Sequence, residues 1–441
     1  MRRLFPLLLA SVFLLGAQQP PNTPQQAGQV ATNGPVTLSL QDALTRARAY
    51  SQQFQSAVIA AATSHEALVQ ARAAFFPTLN YFNQYIYTQG NGTPTGIFVA
   101  ANGVHVYNSQ AVVHGELFSL TQRAEYRQAM FAQAAAQAKQ EIAARGLVST
   151  VVGAYYGLIA AQRHLVNARL TLDEARRFLD ITQKQEAGGE VAHADVVKAQ
   201  LNLEQRTRDL QDAELNVEKA RIALGVMLFP DINQQFDLTD DLAATDQLPN
   251  VDEMRTAAQM HSPDVRAAQA SLKAANFGVS AAKGAFYPSL VYDYFFGIDA
   301  NQFAVHGPEG QNNLGSSAQA SLTIPVWNWG AMRSKVRQAE LQRRQAQVDL
   351  TFAQRNLEST INSAYLEAQA ARAQLDSLRR SVDLSAESLR LTILRYQAGE
   401  ATALEVSDAQ STLAQARNAY DDGLTRYRVA LVGVRILTGT L

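Results

Sequence analysis

The sequence contains one twelve-residue segment twice, and this duplication constrains the fold more than any other feature. Segments 189–200 and 399–410 both begin with Gly-Glu, carry an acidic residue followed by Val at the same place, and end with Ala-Gln. Each copy interrupts a very long helical pattern with a glycine and places a carboxylate at the start of the next one, as in the turn of a helical hairpin. The sequence therefore predicts two long helical hairpins, 210 residues apart.

The repeat extends beyond these two turns. Segment 74–79, Ala-Phe-Phe-Pro-Thr-Leu, returns as Ala-Phe-Tyr-Pro-Ser-Leu at 285–290, and Phe118 is echoed by Trp327 before the next long helical pattern. In both copies the proline ends a helical pattern and an extended, aromatic segment follows. We interpret the chain as two structural repeats of about 200 residues each.

The N-terminal segment has the composition of a secretory signal peptide. A basic pair is followed by an apolar run that is too short to span a membrane as a mature helix, and small residues follow it. A retained membrane anchor is the alternative. Because the sequence has no cysteine, we expect neither disulfides nor a lipid anchor on an N-terminal cysteine. The predicted domains are a signal peptide at 1–17, a disordered leader at 18–36, a first repeat at 37–229, an acidic and polar linker at 230–250, and a second repeat at 251–441.

The charge balance argues against one large class of partners. With 38 basic and 39 acidic residues, the chain has no positive excess with which to bind nucleic acid. After the signal peptide, no window reaches the roughly 18 uninterrupted apolar residues of a transmembrane helix. Any membrane-embedded part of the mature protein is therefore expected to be β-structure.

Four segments have the aromatic or alternating composition of strands. They are 78–92, 104–118, 289–303 and 314–327, with Gly- and Pro-containing loops at 90–103 and 304–313. We expect the membrane strands to lie within 78–118 and 289–327. Aromatic residues cluster at the strand boundaries, as in the girdles of membrane barrels. The candidate membrane-interface residues are Phe75, Phe76, Tyr85, Tyr87, Phe286, Tyr287, Trp327 and Trp329.

Two segments, at about 121–186 and 331–398, lack proline and are rich in strong helix formers. At 1.5 Å per residue, each would form a rod on the order of 100 Å long. After each turn, apolar and small residues recur at three- and four-residue spacing, which favours coiled-coil packing over an ordinary buried helix face. Arg206 alone interrupts this pattern. The heptad positions are Ala199, Leu203, Leu210, Ala213, Val217, Ala220, Leu224 and Met227 in the first repeat, and Val406, Ala409, Leu413, Ala416, Tyr420, Gly423, Tyr427, Ala430 and Val434 in the second.

These elements imply an assembly of several chains. Only a closed barrel is stable in lipid, because open sheet edges would leave backbone groups unpaired. One chain supplies four strands, whereas eight is the usual minimum for a closed barrel. The barrel must then be shared between chains, with the long helices stacked below it and away from the membrane.

With these features, the chain resembles the TolC family of outer-membrane efflux proteins over essentially its whole mature length. The resemblance rests on the two repeats, the Ala-Phe-Phe/Tyr-Pro-x-Leu motifs, segment 324–330 at the exit of the last strand, and Tyr396-x-Ala-Gly399 followed by Glu405 and Val406. It implies a mainly α fold with a β-barrel part: a homotrimer with a shared twelve-stranded barrel in the lipid of the outer membrane of a Gram-negative-type bacterium, above a periplasmic α-helical tunnel. It also implies a passive exit duct that is opened by a periplasmic adaptor and an inner-membrane transporter.

The two turns are the candidate docking sites for the adaptor, mainly because of this resemblance. They lie at the far end of the tunnel, where a helical hairpin of a partner could pack against them. The alternative is that their glycines only make the turn. The candidate docking residues are Gly188, Gly189, Glu190, Ala192, Gly399, Glu400 and Ala403.

The acidic residues after the turns are candidates for a periplasmic gate. Glu405 and Asp408 match two acidic positions that ring the tunnel entrance in the family, and three residues of separation put them on one helix face. Asp195 is the third candidate, and Tyr396 matches a tyrosine that helps to latch the closed state. Ala401 occupies the position of the usual arginine partner. The alternative is that these carboxylates only stabilise helix N-termini.

We find no sequence pattern of an enzyme, a cofactor site or a metal site. The seven histidines do not pair at metal-ligand spacing on one helix face, and neither a Gly-rich phosphate loop nor a nucleophile elbow is present. We therefore expect no catalytic residues, no metal and no cofactor. The alternative function is a periplasmic coiled-coil scaffold, which would explain the heptads but not the four aromatic strands. Drugs, metal ions and proteins all remain open as exported substrates.

Overall fold

The computed structural model describes residues 36–89, 104–231, 234–242, 248–307 and 310–439. The signal peptide predicted at 1–17, nearly all of the leader predicted at 18–36, and the loop predicted at 90–103 lie outside these ranges.

Eight helices and six strands make up the described part of the chain. The helices are α1 (Leu40–Tyr50), α2 (Gln52–Ala73), α3 (Leu120–Ala187), α4 (His193–Leu228), α5 (Val251–His261), α6 (Pro263–Gly284), α7 (Ala331–Gln397) and α8 (Ala403–Thr438). The strands are β1 (Val36–Leu38), β2 (Thr78–Tyr87), β3 (His105–Phe118), β4 (Phe236–Leu238), β5 (Ser289–Ala300) and β6 (Leu314–Thr323).

The two predicted rods are confirmed. Helix α3 has 68 residues and α7 has 67, so each is about 100 Å long. Helix α3 begins where the Ser119 hydroxyl accepts a hydrogen bond from the Gln122 amide at 3.1 Å. Every predicted heptad position on α4 and α8 is buried or half-buried, as a coiled-coil seam requires. At Gly423 a side chain would collide with Leu378 of α7, 2.5 Å from the added carbon, so glycine permits the close approach of these two helices.

Two helices precede the strands in each repeat, α1 and α2 in the first and α5 and α6 in the second. The chain breaks at Ser51, which ends α1, and its hydroxyl accepts a hydrogen bond from the Phe54 amide at the start of α2. Ser262 does the same between α5 and α6, next to Pro263. Each serine has an extended backbone and caps the helix that follows it, so a segment of uniformly helical composition forms two helices.

A short parallel sheet joins the beginning of the first repeat to the predicted linker. Strand β1 pairs with β4 in the register Leu38 to Leu238; β1 starts at the last residue of the predicted leader and continues into the first repeat, and β4 lies inside the linker predicted at 230–250. Leu38 and Phe236 are buried there. The Tyr155 hydroxyl on α3 donates to the carbonyls of Leu38 at 3.3 Å and Thr239 at 2.8 Å, and burial raises its pKa to about 12. The predicted linker is therefore anchored to the middle of α3.

The four predicted membrane strands form one antiparallel sheet in the order β2-β3-β5-β6. Strand β6 ends at Thr323, before Pro325, and does not extend to 327 as predicted; β2 ends at Tyr87 instead of 92. A proline has no N–H to donate to a neighbouring strand. Within the described residues, the outer edges of β2 and β6 have no partner strand, so one chain forms an open sheet.

One described helix, α3, is long and apolar enough to cross a membrane by length and composition. In its apolar window, 39% of the residues are buried within the chain. Helix α3 contributes Tyr155, Tyr156, Leu158 and Ile159 to the main hydrophobic cluster, which they share with residues of α1, α4 and α8. Part of α3 is therefore covered by helices of the same chain.

Candidate functional site

The two helical turns have the same backbone geometry. Gly189 and Gly399 adopt φ values of 77° and 76°, in the left-handed region that favours glycine. The following amides, of Glu190 and Glu400, donate to carbonyls five residues earlier, both at 2.8 Å. This hydrogen bond is the helix-terminating Schellman arrangement, so the interpretation of both segments as hairpin turns is confirmed.

Both turns lie at the same end of the molecule. The Gln185 side-chain amide donates to the Gln397 carbonyl at 3.4 Å, which links one turn to the other. Above them, side chains of α3, α4, α7 and α8 share one apolar cluster, which we call the tip cluster. Its buried members are Phe178, Ala199, Leu389, Tyr396, Ala403, Val406 and Leu413.

Six of the seven candidate docking residues are exposed on the turns. Ala403 is the exception. Its side chain is only 1% exposed because α8 presents it to the tip cluster. Ala403 therefore does not lie on the exposed surface where the sequence predicted it, whereas the equivalently predicted Ala192 does.

Tyr396 connects the end of α7 to α3 within one chain. It is 2% exposed, its ring makes an edge contact with Phe178 at a centroid distance of 5.1 Å, and its hydroxyl donates to the Thr182 hydroxyl at 3.4 Å. Burial raises the pKa of this hydroxyl above its usual range, and the negative charge of Asp195 acts in the same direction. The candidate residues Asp195 and Tyr396 therefore interact electrostatically, although they come from different repeats.

The two carboxylate oxygens of Glu405 contact different partners. Its Oε1 accepts the Thr402 backbone amide at 3.2 Å, while the Thr402 hydroxyl accepts the Glu405 amide at 3.3 Å, which completes a capping box. Its Oε2 lies 3.6 Å from Nη1 of Arg395 on α7, whose other nitrogen, Nη2, donates to the Glu400 carbonyl at 3.0 Å. Sequence reasoning missed Thr402 and Arg395, although a Thr three residues before a Glu is a recognisable capping signal.

Asp408 and Asp195 differ in their surroundings. Asp408 is exposed one turn after Glu405, and the described part of the chain offers it no ion-pair partner. Asp195 is half-buried and lies 3.3 Å from Lys198, one turn later on α4. Helix α4 begins at Ala192 without a side-chain cap, in contrast to the capping box of α8. The two turns are thus alike in backbone but different in their side-chain chemistry.

The eight candidate membrane-interface aromatics are all exposed, from 40% for Phe75 to 90% for Trp329. Tyr85 and Tyr87 lie near the end of β2, and the other six lie at the opposite end of the sheet, where the strands meet the helices. Aromatic residues thus occupy both ends of the strands. The rings of Trp327 and Trp329 contact each other edge-on at 5.9 Å.

The four-stranded sheet has one polar and one apolar face. Cross-strand pairing puts Thr78, His114, Asp293 and Gln319 in one row and Leu79, Val113, Tyr294 and Ala318 in the next row, whose side chains point to the opposite face. The same alternation places all three carboxylates of these strands, on Glu116, Asp293 and Asp299, on the polar face. Asp293 pairs with the His114 imidazole at 2.6 Å.

No group of three or more His, Cys, Asp or Glu side chains suited to a metal ion occurs in the described ranges.

A groove of about 650 Å³ lies between α3, α4 and α8. The side chains that line it include His164, Asn167, Arg206 and Asp422. His164 faces Asp422 at 3.2 Å across the groove.

Comparisons with known proteins agree with this architecture. The Outer membrane protein OprJ of Pseudomonas aeruginosa is 28% identical over 303 residues, which are 65% of this chain and 60% of that protein. The Outer membrane protein TolC of Vibrio cholerae is 24% identical over 380 residues, 85% of each chain. In the first of these matches the chain spans about 60% of its relative's length.

Solved structures with the same fold include the CmeC outer membrane channel of Campylobacter jejuni, with a TM-score of 0.80, 19% identity and coverage of 91% of this chain and 85% of that one. The outer membrane protein VceC of Vibrio cholerae gives a TM-score of 0.79 at 18% identity and covers 91% and 96% of the two chains. The family described as outer membrane efflux protein matches residues 43–228 and 255–440, one stretch in each repeat. The chain belongs to the outer membrane efflux protein family.

Proposed function

We propose that three copies of this chain form an exit duct through the outer membrane. The observation that carries this proposal is the open sheet: β2 and β6 each have an unpaired edge, and one face is polar while the other is apolar. Joining β6 of one copy to β2 of the next pairs all edges, as hydrocarbon requires. Three sheets of four strands give a twelve-stranded barrel, which is within the size range of outer-membrane barrels.

The faces of the sheet support an aqueous interior. Membrane barrels alternate side chains between lipid and lumen. The face with Tyr81, Tyr294 and Phe296 then contacts outer-membrane lipid. The face with Glu116, Asp293 and Asp299 lines the lumen, where its charges stay hydrated.

The long helices support a shared periplasmic tunnel. Leu341, Val348 and Phe352 of α7 are each about 60% exposed and recur at spacings of seven and four residues, which places them on one stripe of the helix. An apolar stripe of this kind on a single chain marks a contact with another chain. In a homotrimer, a neighbouring copy covers it and the α3 and α7 rods form the wall of the tunnel.

The turns then lie at the periplasmic entrance. Three copies of Glu405, Asp408 and Asp195 around the axis form a gate that favours cations, and Tyr396 holds the end of α7 against α3 in the closed state. The exposed turn residues, including Gly189 and Glu400, are available to a periplasmic adaptor that joins the duct to an inner-membrane transporter. The chain supplies a passive conduit in this arrangement, and energy comes from the transporter.

The test is a direct measurement of assembly and conductance. The purified mature protein in detergent is expected to have about three times the mass of one mature chain by light scattering and to migrate as a heat-sensitive oligomer. In planar bilayers it should form ion-conducting pores. A monomer in the soluble periplasmic fraction that forms no pores would instead support the coiled-coil scaffold.

A further inference from the structure

Both long helices begin with the same pair of arginines. Arg123 and Arg127 lie near the start of α3, and Arg333 and Arg337 lie near the start of α7, each 210 residues after its counterpart. All four side chains are exposed, and among the described residues none of them has an ion-pair partner. We call these four residues the arginine pairs. They place four cations per chain directly after the strands β3 and β6, without a carboxylate that neutralises them.

Helix stability does not account for the arginine pairs. The N-terminus of a helix carries a partial positive charge, so nearby cations are unfavourable and carboxylates are favourable. The first turns of α3 and α7 contain no acidic residue, whereas the first turns of α4 and α8 carry Asp195 and Glu405. At the sheet end of the molecule, the helix dipoles therefore add to the charge of the arginines, and both attract anions.

The arginines of α3 lie on the side of the apolar sheet face. The Arg123 guanidinium lies over the Phe118 ring, 5.8 Å from its centroid. Phe118 pairs with Leu290 beyond the bulge in β3, and Leu290 lies four residues before Tyr294 on β5, so both belong to the apolar face. Arg127 follows Arg123 by one helical turn and shares its side of α3.

The carboxylate between these two arginines lies on the other side of α3. Glu125 lines a cavity of about 420 Å³ together with Glu116, which belongs to the polar face of the sheet. Helices α2 and α6 of the same chain flank α3 at this level: Gln122 donates to the Ala74 carbonyl after α2, and the Thr121 hydroxyl donates to a carbonyl of α6. The arginines of α3 are therefore separated from Glu125 and from the helices of a neighbouring copy.

The arginine side chains point toward the sheet. Side chains on an α-helix are tilted toward its N-terminus, which is the sheet end of both α3 and α7. Arg123 lies about 5 Å and Arg127 about 10 Å along the axis from the first residue of α3. The headgroup layer of a bilayer extends roughly 5–8 Å beyond the hydrocarbon on each side. Guanidinium groups that reach back over this distance lie at the depth of the lipid phosphates.

We propose that the arginine pairs bind the phosphate groups of anionic phospholipids in the periplasm-facing leaflet of the outer membrane. Guanidinium groups form paired, charge-assisted hydrogen bonds with phosphate oxygens, and an anionic lipid also relieves the repulsion between cations at two helix N-termini. The inference rests on the proposed exit duct, because that function turns the apolar face toward lipid and the long helices into the periplasm. The equivalent arginines of both repeats then surround the base of the barrel.

The test counts bound lipids on the assembled mature protein by native mass spectrometry in a neutral detergent. Dioleoylphosphatidylglycerol is the anionic probe, and dioleoylphosphatidylcholine is the zwitterionic one. The wild type should bind the anionic lipid at least about tenfold more tightly, and Arg123→Gln with Arg127→Gln should weaken that binding by about tenfold. Binding of the zwitterionic lipid should not change. The preference should shrink at high salt, because ions screen the attraction.

The matched control is Arg169→Gln with Arg177→Gln, which removes the same charge from two exposed positions further along α3 and should bind both lipids like the wild type. Equal affinity of the wild type for the two lipids, or unchanged binding in the Arg123 and Arg127 variant, would overturn the proposal. If that variant does not assemble, the wild type decides the question, and a preference that is absent or insensitive to salt contradicts the proposal.

Two further measurements separate this inference from its alternatives. If the Arg123 and Arg127 variant binds the anionic lipid normally but no longer sediments with purified peptidoglycan, the arginines contact the cell-wall polymer and the lipid proposal is overturned. Bilayer conductance tests the exit duct independently. A wild type without pores would overturn the duct, whereas a wild type that forms pores and shows no lipid preference would overturn only the present inference.

Discussion

Arg395, in the last turn of α7, lies 3.6 Å from Glu405, in the first turn of α8, across the second helical turn of the same chain. The family resemblance implies an arginine at the position of Ala401, and this chain instead places the guanidinium of Arg395, six residues earlier, beside Glu405. Glu405 thus has a cationic neighbour on one side and a backbone amide on the other. This arrangement allows its capping role and its charge to be separated by mutation.

We predict that Glu405→Gln keeps the helix cap and removes the charge, because glutamine also serves at this position of a capping box. Together with Asp408→Asn, it should lower cation selectivity and block by trivalent cations in planar bilayers. Thermal stability should stay within about 0.5 kcal/mol of the wild type.

The matched variant for this prediction is Thr402→Ala, which removes the cap and keeps both carboxylates. It should lower stability by about 1 kcal/mol and leave selectivity unchanged. If Glu405→Gln lowered stability as much as Thr402→Ala and did not alter selectivity, the gate assignment would have to be abandoned in favour of the cap.

One glycine in a turn and one in a helix allow the same substitution, glycine to alanine, to be compared in two backbone conformations. Gly189→Ala puts a side chain at φ 77° and should destabilise the tip by about 1 kcal/mol, measured as faster amide exchange in 185–195. Gly153→Ala lies inside α3, where an added carbon meets nothing within 4 Å of the same chain. It should stabilise the protein by up to about 1 kcal/mol. Equal effects at both positions would contradict the strained-turn geometry.

Two adjacent residues of β6 test which face of the sheet meets water. Gln319 shares the polar face with Asp293, and Ala318 shares the apolar face with Tyr294. Since the chain has no native cysteine, Gln319→Cys and Ala318→Cys each introduce a single thiol. In membranes, Gln319→Cys should react with a charged thiol reagent and Ala318→Cys with a lipid-soluble one. The reverse pattern would mean that the sheet faces are assigned the wrong way round.

The contact of Arg163 with Asp240 predicts a pH dependence. Burial alone would raise the pKa of Asp240, but the hydrogen bonds from Arg163 outweigh it and lower that pKa below its ordinary value of 3.8. A carboxyl with a lowered pKa in the folded state stabilises the fold above its ordinary pKa, and this contribution is lost as pH falls through the lowered value.

Asp240→Asn should therefore reduce the melting temperature at pH 7, and this difference from the wild type should shrink as pH falls below 3.8 and through the lowered pKa of the wild-type carboxyl. Asp237→Asn in β4, an exposed carboxyl outside this contact, is the control. A constant difference between Asp240→Asn and the wild type at all pH values would show that the loss does not come from the ion pair.

The features that were predictable from the sequence depend on local composition. The absence of proline over more than 60 residues suffices to predict α3 and α7, and a glycine followed by a carboxylate suffices for both turns. The assignment of Glu405 and Asp408 to a gate came from the family pattern and stays a prediction. The capping geometry of Glu405 depends on Thr402, three residues away, and that signal was present in the sequence.

Features that depend on distant contacts were not predictable in the same way. Strands β1 and β4 have three residues each, too few for a periodic pattern, and their stability comes from pairing across 200 residues and from packing on Tyr155. The burial of Ala403 reflects where α8 meets Phe178 and Tyr396, which no local pattern specifies. Arg395 was missed for the same reason, since its contact with Glu405 depends on how the turn closes.

The pairing of β3 with β5 has a consequence for how the chain is made. Residues 107–118 find their partners at 290–300, so nearly 180 residues must be synthesised after β3 before its second edge can be covered. Closing so long a loop is entropically costly and slows folding. Until β5 is available, the second edge of β3 is unpaired, and an exposed strand edge promotes aggregation unless a chaperone covers it. Although the two halves look like duplicated modules, the first half cannot reach its final structure until much of the second half has arrived.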